Sequence, residues 1–305
     1  MKRVFGLVFG VVAGWRLFGP IITPRWKPPQ VHPWRIPGTT VFVGDREFMV
    51  RQVGPADGKD LVLVHGLGGA SLAEWFKVGP VLAERYRLTV VDHRSHGLSP
   101  KTTDRFEIED VADDIAAVLA QVGVRRAAVV GYSMGGTITQ ALAYRHPQLV
   151  ERMVLIATFA QHPGWWRPLR VASVWVIRTW ERLTGLGSPE VRSLYLLVTG
   201  AVDRHHGRWL WEETHRRDAE AGSAATFSLL RFDSTDWIGR VRQPALVVIP
   251  LQDQLVPVRW QYDLAAALPD ATVSEIPGAR HEAPFTHPEQ LIRAIAGFVP
   301  VDPQS

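Results

Sequence analysis

One serine in this sequence stands between glycines at the end of an apolar run, in Gly131-Tyr132-Ser133-Met134-Gly135. The residues before it have the pattern of a buried strand, and those after it have helical spacing. A sharp strand-to-helix turn strains the backbone of the serine, and only residues without a Cβ atom fit on either side. Such a turn exposes the serine oxygen above a sheet, so we predict that Ser133 is a nucleophile.

A serine nucleophile needs a base, and His281 is the histidine best placed to supply one. It follows the last predicted strand, in the stretch PGARHEAP, where a loop ends at the carboxyl edge of the sheet. Asp253 follows the preceding strand and is the carboxylate that we expect to orient the imidazole. The chain order Ser133, Asp253, His281 is the order nucleophile, acid, base.

The other histidines are expected to have structural roles. His65 and His96 follow earlier strands and are predicted to form turn-stabilising hydrogen bonds. Three histidines in a later helix-like region are predicted to lie on the surface: His205, His206 and His215. The sequence has no H-E-x-x-H or other metal spacing, and no cysteine that could supply a thiolate. We therefore expect neither a metal site nor a disulfide.

A glycine-rich turn, VHGLGG, follows an early buried strand. The backbone N–H of Leu67 in this turn, together with that of Met134, is expected to hold an oxyanion. Met134 opens a predicted helix, whose first N–H groups and positive dipole end face a developing negative charge. Gly66, Gly68 and Gly69 let the backbone come close to that charge.

Strand and helix patterns alternate through most of the chain. After a predicted hairpin around Gly44 and Asp45, apolar strands alternate with helices, one of them predicted over residues 71–86. This alternation indicates a mostly parallel, doubly wound sheet. Between residues 159 and 240 the pattern becomes helical and rich in tryptophan. We predict three units: an N-terminal arm with a proline-rich linker (1–38), a core (39–158 and 241–301) and a helical cap (159–240).

The positive charge of the chain is concentrated in the arm. The net charge is +4, but residues 1–44 hold six basic and no acidic residues, so the remainder sums to −2. A nucleic-acid surface would place basic charge on the folded body, so we expect no nucleic-acid partner. The apolar run Val4–Trp15 has 12 residues, whereas a bilayer span needs about 18 or more.

Interfacial tryptophans between basic residues are typical of a segment that lies on an anionic membrane. Trp15, Trp26 and Trp34 have this setting. We therefore expect a membrane-associated protein that contacts the membrane surface through residues 1–35. Two alternatives are export with a cleaved signal, for which residues 11–13 offer a small-residue cleavage site, and a cytoplasmic location.

The motifs VHGLGG, DHRSHGLS, GYSMGG, DQLVP and GARHEAP occur in this order, and through them the chain resembles the α/β-hydrolase superfamily over about residues 39–299. The resemblance implies an α/β-hydrolase fold, which is a mostly parallel, doubly wound sheet with an inserted helical cap. It also implies the same site residues: a triad of Ser133, Asp253 and His281, and an oxyanion hole from Leu67 and Met134.

Three positions depart from the superfamily pattern. Ser95, Pro250 and Arg280 each stand where a glycine is usual. Arg280 precedes His281, where its side chain would crowd or screen the base. The serine in the elbow, in place of an aspartate, argues against haloalkane dehalogenase and epoxide hydrolase chemistry.

Together these residues predict a serine hydrolase that cleaves carboxylic esters through an acyl-enzyme on Ser133, without a cofactor. The tryptophan-rich cap favours an apolar or lipid-like acyl group in a small-molecule or lipid ester. The same triad would also serve a carbon–carbon bond hydrolase, a lactonase or an acyltransferase, and some members of the fold are non-catalytic ligand receptors. Cap arginines that bind a substrate carboxylate would favour the carbon–carbon bond hydrolase or lactonase: Arg167, Arg170, Arg178 and Arg182.

Overall fold

The computed structural model contains one eight-stranded sheet with helices on both faces. The residues that the structure describes are 33–67, 69–101, 105–162, 188–215, 219–301 and some positions from 169 to 179. The strands are β1 (Thr39–Val43), β2 (Arg46–Val53), β3 (Lys59–Val64), β4 (Tyr86–Val91), β5 (Ala127–Tyr132), β6 (Val150–Ile156), β7 (Ala245–Pro250) and β8 (Ala271–Ile276).

The strand order is β1-β2-β4-β3-β5-β6-β7-β8. Strands β1 and β2 form an antiparallel hairpin whose turn holds Gly44 at φ +63°, and β2 pairs antiparallel with β4. All remaining pairs, from β4 through β8, are parallel. The predicted fold class and the predicted hairpin are therefore confirmed.

The helices of the described residues mostly follow the predicted ones. They are α1 (Ser71–Trp75), α2 (Gly79–Leu82), α3 (Ile108–Gln121), α4 (Met134–Arg145), α5 (Ser188–Val198), α6 (Gly207–His215), α7 (Ala219–Arg231), α8 (Val258–Ala267), α9 (Ala283–Thr286) and α10 (Pro288–Phe298). The single helix predicted over residues 71–86 is wrong, because α1 and α2 are separate and Tyr86 already belongs to β4. Pro80 lacks an N–H group and is tolerated only in a first helical turn, so a new helix starts beside it.

The central strands of the sheet are buried on both faces, which explains why they are unbroken apolar runs. Leu61 and Leu63 of β3 pack on the face that also carries α1, α2 and α10. Val62 and Val64 point to the other face, towards α3, α4 and α8. The central strands are therefore rigid supports for the loops at their carboxyl ends.

Helices α5, α6 and α7 lie between β6 and β7 in the chain. Trp209 of α6 packs edge-on against Phe76, with ring centroids 5.2 Å apart. On another side, Glu107 accepts hydrogen bonds from Ser228 and Arg231 of α7. Most of residues 163–187 lie outside the described residues, so the limits and the capping role of this insertion stay predictions.

The folded body begins before the predicted boundary at residue 39. Trp34 and Ile36 are buried in the core, and Trp34 covers Gly79, where a Cβ atom would lie 2.1 Å from the indole. Trp34 is therefore not an interfacial residue, because it packs inside the protein. Residues 1–32, with Trp15 and Trp26, lie outside the described residues. Within the described part of the chain, no helix combines the length and apolar character needed to cross a bilayer.

Candidate active site

Ser133 stands at the turn between β5 and α4, and its backbone is strained at φ +54° and ψ −118°. Its N–H group donates to the carbonyl of Ile156 on β6 at 2.9 Å. The flanking glycines are required by contact: a Cβ atom at Gly131 would lie 2.3 Å from the carbonyl oxygen of Gly135. The turn therefore requires a residue without a Cβ atom at position 131, as predicted.

His281 lies beside the serine, in the loop between β8 and α9. Its Nε2 atom is 3.0 Å from the Oγ atom of Ser133, and its Nδ1 atom is 2.9 Å from the Oδ2 atom of Asp253. Both His281 and Asp253 are 6% exposed, so little water competes for these hydrogen bonds. The structure thus brings together the three side chains singled out in the sequence. Their catalytic roles stay predictions.

The Asp253 carboxylate is held by three further donors. Its Oδ1 atom accepts from the N–H groups of Leu255 and Val256, at 2.9 and 2.8 Å. Its Oδ2 atom accepts from the Gln261 side chain at 3.2 Å. A carboxylate held in this way presents a fixed acceptor to the Nδ1–H group of His281, which leaves Nε2 unprotonated towards Ser133.

The two predicted oxyanion donors belong to neighbouring segments. Met134 is the first residue of α4, so its N–H group has no acceptor within the helix. Gly66, which precedes Leu67, lies against the nucleophile: a Cβ atom on it would be 3.3 Å from the Cβ atom of Ser133. Leu67 is half-buried in the same loop. The roles of Leu67 and Met134 as oxyanion donors stay predictions.

Tyr132 is a site residue that the sequence did not single out. Its hydroxyl donates to the backbone carbonyl of His281 at 3.0 Å, and its ring lies 5.3 Å from the imidazole. Burial and the nearby Glu74 raise the pKa of Tyr132 well above its ordinary value, so the phenol keeps the proton that it donates. In the sequence, Tyr132 ends an apolar strand, and nothing in that pattern indicates that its hydroxyl contacts His281.

His65 and His96, which were predicted to stabilise turns, are buried. His65 Nδ1 lies 2.8 Å from the carbonyl oxygen of Gly66, and His96 Nδ1 lies 3.0 Å from that of Arg94. His65 also stacks on His93, with ring centroids 3.7 Å apart. His205 is exposed. Among the residues that the structure describes, no group of three or more potential ligands could hold a metal ion.

All three residues that depart from the superfamily pattern lie among the described residues. Ser95 takes the left-handed conformation usual for glycine, at φ +59°. Pro250 ends β7, where it is paired with Ile276 of β8. Arg280 is exposed, and its guanidinium donates to the Tyr195 hydroxyl of α5 at 3.3 Å.

Of the four cap arginines, only Arg178 lies among the described residues. Its guanidinium lies 5.6 Å from the ring centroid of Trp175. The contact given for Arg178 is therefore with a tryptophan, and a carboxylate-binding role for these four arginines stays a prediction.

Comparisons with known proteins identify the family of the fold. Residues 60–187 match the family model described as the alpha/beta hydrolase fold. The chain is 32% identical over 259 residues to a pimeloyl-[acyl-carrier protein] methyl ester esterase of Chromobacterium violaceum, covering 78% of this chain and 93% of that protein. It is 30% identical over 259 residues to a putative carbamate hydrolase, RutD, of Caulobacter sp. (strain K31), covering 81% and 92%.

A solved structure shows the same fold. The crystal structure of a hydrolase from Pseudomonas aeruginosa PA01 superposes with a TM-score of 0.73 at 21% identity, covering 86% of this chain and 97% of that chain. At this level of identity the likeness concerns the fold alone.

Proposed function

The chain belongs to the α/β-hydrolase fold family, and from this premise we propose that it is a serine hydrolase of carboxylic esters. One observation carries the proposal: Ser133, His281 and Asp253 form an unbroken hydrogen-bonded series, with contacts of 3.0 and 2.9 Å. A nucleophile within reach of a base, which is itself oriented by a carboxylate, is the arrangement that activates serine. The 32% identical methyl ester esterase supports ester hydrolysis as the reaction.

The proposed reaction passes through an acyl-enzyme. His281 Nε2 takes the proton of Ser133 as Oγ attacks the ester carbonyl, and the backbone N–H groups of Leu67 and Met134 stabilise the oxyanion. His281 then gives this proton to the leaving alcohol. The same nitrogen then takes a proton from water, which attacks the acyl-enzyme. His281 returns this proton to the Oγ atom of Ser133 as the acid is released. Asp253 keeps the imidazole in the required tautomer, and no cofactor takes part.

An apolar or lipid-like acyl group is the substrate that we propose. The tryptophan-rich composition of the insertion supports it, although two of these tryptophans also have packing roles. Trp209 packs on Phe76, and Trp237 stacks on Tyr144 with centroids 4.6 Å apart. A series of nitrophenyl esters of rising chain length tests this part of the proposal. A preference for acetyl over octanoyl esters would contradict it.

A fluorophosphonate probe tests the activated serine. We expect the probe to label the wild-type protein and not Ser133→Ala, because only a serine beside a base is phosphonylated rapidly. The matched control is Ser274→Ala, on the edge strand β8, which should label like the wild type. A folded wild-type protein that remains unlabelled, or labelling that persists in Ser133→Ala, would overturn the proposed mechanism.

A further inference from the structure

The reaction described above makes no use of a buried carboxylate beside the oxyanion loop, residues 66–69. Glu74 belongs to α1, and its side chain has no solvent exposure. Its Oε2 atom accepts the N–H group of Gly66 at 3.0 Å. Burying a carboxylate costs free energy unless its oxygens are hydrogen-bonded and its charge is compensated. The groups that hydrogen-bond to the Glu74 carboxylate and balance its charge therefore indicate its role.

The first partner of Glu74 is the oxyanion loop itself. A Cβ atom at Gly66 would lie 3.1 Å from Oε2 of Glu74, and one at Gly69 would lie 2.7 Å from Oε1. The carboxylate thus contacts the loop on both sides of Leu67. Because Gly66 also touches Ser133, a shift of the Glu74 side chain would move Leu67 relative to the nucleophile.

The second partner comes from the insertion. Arg192 of α5, 118 residues along the chain, donates through NH1 to Oε1 of Glu74 at 2.7 Å. Its guanidinium also lies 5.8 Å from the ring centroid of Phe285. Burial alone would lower the pKa of Arg192, but Glu74, together with Tyr132 and Glu282, outweighs this effect and the pKa is raised. The carboxylate therefore accepts a hydrogen bond from the loop through Oε2 and one from α5 through Oε1.

We infer that Glu74 and Arg192 are positioning residues that make the oxyanion loop depend on the docking of α5. The inference rests on the proposed function, because it assigns these residues to the predicted oxyanion donor at Leu67. An oxyanion donor stabilises the transition state only when it is held in place before the reaction. When α5 withdraws Arg192, Glu74 becomes an unpaired buried charge that leaves its site and releases Gly66.

The test compares Glu74→Gln, Arg192→Gln and the double variant with the wild-type protein. The readouts are kcat and KM for a short, soluble nitrophenyl ester and the Ki of a trifluoromethyl ketone, which forms a tetrahedral adduct with an oxyanion. For each single variant we expect kcat to fall about ten- to a hundredfold, Ki to rise by the same factor and KM to change little.

The double variant tests the coupling between the two side chains. In Glu74→Gln the new amide carbonyl still accepts from Gly66, and in the double variant two facing amides can hydrogen-bond. We therefore expect the double variant to lose less than the product of the two single losses. It also keeps the inference testable if the unpaired charge prevents a single variant from folding.

The matched control is Arg231→Gln, which removes another ion pair between the insertion and the core. Arg231 pairs with Glu107 at 2.8 Å, and neither residue belongs to the proposed catalytic set. We expect its kcat and Ki to equal those of the wild type.

Four results would decide against the inference or its premise. A wild-type protein that neither turns over esters nor reacts with the fluorophosphonate would overturn the proposed function itself. An active wild type, with single variants within about twofold in Ki, would overturn the positioning role alone. The same holds if kcat falls only in proportion to the folded fraction measured by circular dichroism, or if the single losses multiply in the double variant.

Discussion

A buried pair of histidines links the folded state to pH. Burial is the main cause that lowers the pKa of His65, against the opposing charge of Asp92. Burial also lowers the pKa of His93 well below its ordinary value, with His65 and His96 acting in the same direction. Both rings are therefore neutral in the folded protein at pH values where an unfolded histidine is charged.

The sign of the effect on stability follows from this difference. In acid the unfolded chain binds protons that the folded chain excludes, so the free energy of unfolding falls below the unfolded pKa of about 6.5. Each histidine contributes a slope of up to about 1.4 kcal/mol per pH unit. We expect urea unfolding at pH 7.5 and 5.5 to show this loss, and His93→Gln to reduce it. An equal loss in the variant would show that His93 does not contribute.

Single residues also show how far the sequence alone could lead. Ser133, Asp253 and His281 were predictable because each one follows a strand, and parallel strands end at one edge of a sheet. Glu74 was not, because its partner Arg192 stands 118 residues away. A lone glutamate in a short helix gives no sign that its side chain is buried, so only the packed structure reveals its role.

At the scale of elements, the first turn of α4 is wedged against the end of β3. A Cβ atom at Gly135 would lie 2.2 Å from the carbonyl oxygen of Val64 and 2.7 Å from that of His65. These are backbone atoms of a buried strand and its loop, which cannot rotate away as a side chain can. The contact fixes the spacing between Met134 and the oxyanion loop.

We therefore expect Gly135→Ala to lower the free energy of unfolding by about 1–3 kcal/mol, because overpacking forces backbone shifts. It should also lower kcat by moving Ser133. Gly297 in α10 is the matched control: it is exposed, and a Cβ atom there meets nothing within 4 Å. Gly297→Ala should stabilise the protein by up to about 1 kcal/mol through helix propensity. Thermal melts and ester kinetics check both; equal stability of the two variants would contradict the wedge.

Strands and helices could be predicted where they depend on a local sequence pattern. They could not be predicted where their limits or contacts depend on tertiary packing. The alternating and fully apolar runs identified every strand of the sheet, because each face of the sheet must be covered. The helix predicted over residues 71–86 is interrupted between Trp75 and Gly79, and Gly79 is covered by the distant side chain of Trp34. Periodicity could not show that α5 contacts the core through Arg192 and Tyr195, because those contacts depend on how distant segments dock.

At the scale of the whole molecule, charge and core divide the chain at different places. The positive charge lies in residues 1–44, whereas the buried core already begins at Trp34. Trp34 and Ile36 therefore tie the arm to the body close to α2, rather than leaving all of it as a linker. A truncation that keeps these two residues separates the arm from the fold.

We propose that residues 1–32 bring the protein to an anionic membrane surface. Five of the six basic residues of the arm lie in this segment, and each adds about 1 kcal/mol of binding near such a surface. We expect the full chain to sediment with phosphatidylglycerol vesicles, to bind phosphatidylcholine vesicles much less, and to be released by salt. A variant lacking residues 1–32 should lose this binding but keep its thermal stability and its kcat on a soluble ester, because Trp34 and Ile36 remain.

Equal vesicle binding by the truncated variant would refute a membrane role for the arm. A second variant, in which glutamine replaces Lys2, Arg3 and Arg16, separates the effect of charge on vesicle binding from that of the apolar run.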